Sequence, residues 1–124
     1  MKNAKVSSGS VEDFFRRSRE RAAKLDRKER LPIDLRITFE DPADLMRALS
    51  AQRVKVLQVV KRNRRPTVTK LATMLKRDRK SVTRDVTVLE KLGLIRTKIQ
   101  ANPGHGVVKV VEPLAERYHL TATL

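Results

Sequence analysis

The chain has 124 residues, with 29 Lys or Arg against 14 Asp or Glu, a formal net charge of +15, and 40% hydrophobic residues. This length suits one compact domain with an added arm, and the absence of cysteine excludes disulfides and thiolate metal sites. Aromatics are confined to Phe14, Phe15, Phe39 and Tyr118, too few for the stacking platforms of single-strand binders. No apolar run approaches the roughly 20 residues of a membrane span, and no signal-peptide pattern opens the sequence. The expectation is a cytoplasmic protein with a polyanionic partner, usually nucleic acid.

The excess charge is not confined to one tail. Residues 1–31 carry +5, residues 32–52 carry −2, residues 53–65 and 66–98 carry +6 each, and residues 99–124 are neutral. Most of it lies where the folding pattern is strongest. Residues 1–9 read as a disordered start. Ser10 and Asp13 resemble a cap and first turn, and good helix formers follow from 11 to about 28. Their apolar face is thin, with Phe14 or Phe15, Ala22 and Leu25, so residues 1–31 are expected to form a basic arm, partly disordered or helical. Leu31-Pro32 ends it.

Residues 32–124 are expected to form the folded domain. Leu35 to Phe39 alternates apolar and polar residues, as in a half-buried strand. Asp41-Pro42-Ala43-Asp44 combines a cap, a proline at the first helical position and an early acid. A short helix follows to about 49. Ser50 caps a second helix, 51–63, and Leu45, Leu49, Val56 and Val60 form its shared apolar stripe, widened by Leu57 and Val59. Thr67 opens a helix ending at Leu75, with Leu71, Ala72 and Leu75 inward. After the turn Lys76-Arg77-Asp78, a helix spans 79–92, ended by Gly93 in a left-handed cap with Leu94 as its apolar partner. Strands at 94–99 and 107–111 flank a loop at 100–106. A helical turn is expected at 113–118 and a last strand near 119–124.

The predicted fold class is mainly α with a small β-sheet (α+β): a winged helix-turn-helix, in which three helices precede a two-stranded hairpin. The helix over 79–92 then carries the chemistry. At about 100° per residue from Val82, Val86 falls near 40° and Leu89 near −20°. The opposite face holds Lys80, Arg84, Thr87 and Lys91, with Thr83 on one flank and no carboxylate. Many solvated helices look like this. Within this helix order and this charge, the face points to the DNA major groove, where Arg and Lys reach guanine and Thr reaches bases or phosphate. Arg79 and Ser81 complete the recognition-helix set. Thr67, Thr69, Lys70 and Thr73 sit at or near the start of the preceding helix, where backbone N–H groups also favour phosphate. Arg62, Arg64 and Arg65 extend the basic rim. In the wing, 96–110, Lys98, His105 and Lys109 are the candidate contacts to backbone or minor groove, His105 equally reading as an exposed loop residue. Neither histidine has metal-ligand spacing, and no GK[ST] follows Gly104 and Gly106 to make a phosphate loop. No catalytic residue, metal or cofactor is expected, and the chain does not read as an enzyme.

The stretches ITFEDPADLMRAL, RVKVLQVV and KLATMLKRDRKSVTRDVTVLEKLGLI, over about 37–111, resemble a family of small winged-helix DNA-binding proteins of archaea and bacteria, related in fold to MarR-like regulators. The resemblance implies a transcriptional regulator, and the helix order with the basic face of 79–92 leads to the expectation of a homodimer that binds double-stranded DNA. Some members are similar to antitoxins, which implies a toxin partner as an alternative; the arm and the strand at 35–39 would then be the docking surface. An RNA-binding winged helix is a third, weaker reading. Two departures from the family stand out. Lys76 occupies a turn position where relatives carry glycine, and residues 1–31 lie outside the match.

Overall fold

A computed structural model describes residues 3–7, 33–104 and 106–124. The helix expected over 11–28 and His105 lie outside the described residues. In chain order the elements are β1 (Asn3–Ser7), β2 (Asp34–Phe39), α1 (Pro42–Ala48), α2 (Ala51–Asn63), α3 (Val68–Leu75), α4 (Arg79–Lys91), β3 (Ile95–Ala101), β4 (Val107–Pro113) and β5 (Arg117–Ala122). The α+β class and the succession of helices and hairpin agree with the sequence pattern.

Local chemistry explains where the helices begin. Asp41, Ser50, Thr67 and Asp78 each precede a helix in extended backbone and accept an N–H bond from its first turn. Such a cap is worth about 1 kcal/mol. Helices α3 and α4 also end alike. Arg77 N–H bonds Ala72 O and Lys76 N–H bonds Thr73 O; Leu94 N–H bonds Leu89 O and Gly93 N–H bonds Glu90 O. Both are Schellman closures, which need a left-handed residue. At α4 it is Gly93, with φ 80°; at α3 it is Lys76, with φ 54°.

The core is one cluster. Leu35, Ile37 and Phe39 from β2 meet Val56, Leu57, Val59 and Val60 from α2, Leu71 from α3, and Val82, Val86 and Leu89 from α4. Ile95 and Val111 close it from the hairpin. Burying each such aliphatic side chain contributes roughly 1.5–3 kcal/mol. Leu45 and Leu49 pack against this cluster half-buried.

Two features depart from the sequence expectation. Residues 3–7, expected to be disordered, form β1 and pair in parallel with β2, Asn3 opposite Asp34 through Ser7 opposite Thr38. On its other side β2 pairs in parallel with β5, Asp34 opposite Arg117 through Phe39 opposite Ala122. Parallel partners are joined by long crossovers, so a local pattern in NAKVS carries no sign of them. The centrality of β2 leaves it no free edge for a protein partner's strand. Both its edges are paired, and Leu35, Ile37 and Phe39 are buried in the core.

The second departure is the expected helical turn at 113–118. Leu114 and Ala115 are instead buried, and Arg117 already begins β5. The Tyr118 hydroxyl organises this bend. It accepts the N–H groups of Leu114 and Ala115 and donates to Leu94 O, three bonds that a helix could not offer together.

Among the described residues three acids are buried, Asp34, Asp85 and Glu112, and each is held by two basic side chains. Asp34 meets Arg117 at 2.8 Å and His119 at 2.8 Å. Asp85 meets Arg53 at 3.1 Å and Arg77 at 2.8 Å. Glu112 meets Arg65 at 2.8 Å and Arg96 at 2.6 Å. A carboxylate taken out of water requires such partners. The Arg117 and His119 bonds hold the Asp34 carboxyl below the usual carboxylate range, and Asp34 in turn raises Arg117.

Candidate nucleic-acid interface

The face of α4 follows from its buried stripe. Val82, Val86 and Leu89 are fully buried, and on the opposite side Lys80, Arg84, Thr87 and Lys91 are exposed. Arg79 is also exposed; Thr83 is half-buried. Several hydroxyls in the candidate set are already engaged. Ser81 Oγ donates to Asp78 Oδ1 at 2.7 Å, Thr87 Oγ1 donates to Thr83 O at 3.0 Å, and Thr73 Oγ1 donates to Thr69 O at 3.1 Å. They can still accept a bond, but donating one requires rotation. The face therefore offers its donors chiefly through Arg79, Lys80, Arg84 and Lys91. Arg84 has no ion-pair partner among the described residues, so its guanidinium fork is available for a bidentate contact.

Asp78 caps α4 at its mouth, two residues before Lys80. It accepts both the N–H and the hydroxyl of Ser81, and these bonds lower its pKa. Its charge is thus spent on the first turn of its own helix.

Three residues that position the face had no functional signal in the sequence. Asp85 lies on the inner flank of α4 and binds Arg53 of α2 and Arg77 of the α3–α4 turn. Arg53 Nη1 also donates to Arg47 O at 2.8 Å and Ala48 O at 3.2 Å, closing the end of α1. One carboxylate therefore ties three helices to the turn that sets the entry of α4. Its inward direction was readable from the helical angle; its partners were not.

Glu90 joins α4 to the hairpin. Its Oε2 accepts Thr97 N at 2.7 Å and Thr97 Oγ1 at 2.9 Å. Strand alternation then assigns faces. Thr97, Ile99 and Lys109 share the side on which the hairpin meets α4, because Ile99 pairs with Lys109 and Thr97 with Val111. Arg96, Lys98 and Glu112 lie on the other side, Arg96 pairing with Glu112 and Lys98 with Val110. The two wing lysines therefore do not act from one surface.

At α3, Thr67 is half-buried. It caps the helix through Lys70 N at 3.0 Å and forms an isolated bridge to Val110. Thr69, Lys70 and Thr73 are exposed. Among the described residues, no group of His, Asp or Glu is arranged to hold a metal, and no helix is long and apolar enough to cross a membrane.

The pair α3–α4 followed by the β3–β4 hairpin defines a winged helix-turn-helix, the fold class of many transcriptional regulators. The chain belongs to the HVO_A0114 family, whose model matches residues 48–111. That segment runs from the end of α1 into β4 and leaves the parallel sheet outside. Among solved structures, the chain is similar to one described as a possible transcriptional regulator from Methanosarcina mazei Go1, with 21% identity and a TM-score of 0.51. The likeness covers 58% of this chain and 63% of that one, less than two thirds of its length. No curated protein matches the sequence.

Proposed function

We propose that this protein is a sequence-specific, double-stranded-DNA-binding transcriptional regulator, with α4 entering the major groove. The observation that carries this reading is the exposed, carboxylate-free face of Lys80, Arg84, Thr87 and Lys91 opposite the buried stripe of α4. Arg84 is the base reader; Lys91, near the far end of the helix, meets phosphate. Thr69 and Lys70, beside the N-terminus of α3, add backbone contacts. Lys109 carries the wing contact on the side of the hairpin that meets α4. The net charge of +15 supports a strong phosphate component with steep salt dependence. Acting as a homodimer, the protein reads half-sites about one helical turn apart.

The test is a footprint on its own promoter, followed by binding to that duplex at stated salt. Arg84→Ala loses roughly 1–3 kcal/mol of specific binding and leaves thermal stability unchanged. An unaltered footprint and affinity in that variant refute the assignment of α4. Structured RNA competing as well as the duplex at the same salt favours an RNA partner instead. Co-purification with a neighbouring toxin favours the antitoxin alternative.

A further inference from the structure

Behind the hairpin lies a cleft of about 640 Å³ between the end of α2 and the base of β3 and β4. Five cations line it, Lys61, Arg64, Arg65, Arg96 and Lys98, against two carboxylates, Glu112 and Glu116. It is separate from the proposed DNA face. Lys98, Arg96 and Glu112 point to the side of the hairpin opposite Thr97, which meets α4, and the cleft lies toward the hairpin base, away from Ala101 and Val107 at its far end.

From this arrangement we infer a second binding site, for a phosphate-bearing small molecule. The cleft is built rather than incidental. Glu112, 7% exposed, receives Arg65 Nε on one oxygen and Arg96 Nε on the other, which fixes both guanidinium groups at the wall. Arg65 Nη2 is held further by Gln100 at 3.0 Å, while its Nη1 makes no hydrogen bond among the described residues. Arg64 and Lys98 have no carboxylate partner among those residues. Guanidinium groups held in place beside lysine ammonium groups suit phosphate oxygens. The volume is that of a small-molecule site, yet its lining is too charged for an apolar ligand.

The backbone gives a second, independent sign. Arg64 has φ 63° and ψ −61°, and Arg65 N–H donates to Asn63 O at 2.7 Å. This is a γ-turn centred on a residue with a large side chain, a sparsely populated and strained conformation. Glycine would occupy it more easily. The turn presents an arginine at the cleft instead.

The experiment titrates inorganic pyrophosphate into the full chain at fixed ionic strength, by calorimetry and by NMR shifts, with citrate as a carboxylate comparator. The native protein is expected to bind pyrophosphate saturably at one site and citrate more weakly. Arg64→Gly combined with Lys61→Gln weakens pyrophosphate at least tenfold. Arg64→Gly alone raises the melting temperature, so its loss of binding cannot come from unfolding. Arg84→Ala binds pyrophosphate as the native protein does, which keeps this site distinct from the DNA reading. Non-saturable binding, equal loss in Arg84→Ala, or citrate binding as tight as pyrophosphate overturns the inference. So does a double variant that loses duplex DNA affinity while keeping pyrophosphate, which would make the cleft part of the DNA surface.

Discussion

Replacing Lys76 with glycine should stabilise this protein. Lys76 closes α3 in the left-handed region, at φ 54° and ψ 44°, and is exposed. It has no ion pair among the described residues, so the substitution removes no contact. A non-glycine residue in this conformation costs about 1–2 kcal/mol. Glycine returns part of that gain, about 0.5–1 kcal/mol, because its unfolded chain is freer. The net expectation is stabilisation of about 0.5–1 kcal/mol, a rise of roughly 2–6 °C in melting temperature for a chain of this size. The assay is thermal and urea unfolding of the native protein, Lys76→Gly and Lys76→Ala. Alanine keeps the strain and should leave stability near the native value, which separates the backbone effect from loss of the lysine charge. A melting temperature for Lys76→Gly at or below the native one would refute the reasoning, as would an equal gain from alanine.

Asp85→Ala leaves Arg53 and Arg77 around an empty position and should destabilise the fold by about 2–3 kcal/mol, the low end of the range for breaking a buried pair because both arginines keep some exposure; the urea midpoint checks this, and a change under 1 kcal/mol refutes it. Glu90→Ala removes the two bonds to Thr97 and should cost about 1–2 kcal/mol; it should also raise hydrogen exchange at the base of the hairpin before it affects α2. The pKa values of Asp34 and Asp78 are both lowered by folding. Their stabilisation is therefore fully present above the unfolded carboxylate value near 3.9 and is lost as pH falls through their lower folded values. Urea midpoints measured from pH 6 downward should show this acid limb, and Asp34→Asn and Asp78→Asn should each flatten it.

Much of the winged helix was legible in the sequence because its signals are local. Caps at Asp41, Ser50 and Thr67 stand within one turn of the N–H groups they satisfy, and the Val82, Val86 and Leu89 stripe follows from helical periodicity alone. The same periodicity showed which face of α4 would be exposed, since burying one side leaves the other to solvent. Gly93 marked the end of α4 for an equally local reason. What sequence reading missed depends on pairings between distant residues. Nothing near NAKVS announces a parallel partner at residues 34–38, and nothing near Tyr118 shows that its hydroxyl will stop residues 113–118 from coiling. The three buried acids belong to the same class, because Asp85 finds Arg53 and Glu112 finds Arg65 only after the chain has folded.

The sequence by itself determined the helix order, the basic excess and the exposed face of α4, because each depends on residue type and short spacing. Only the tertiary structure decided that β2 is central, with neither edge free, and that Lys98 and Lys109 face opposite ways. It also brought Arg64, Arg65 and Arg96, scattered along the chain, to one cleft. Those outcomes rest on strand register and long-range ion pairs, which are settled by packing and not by local propensity.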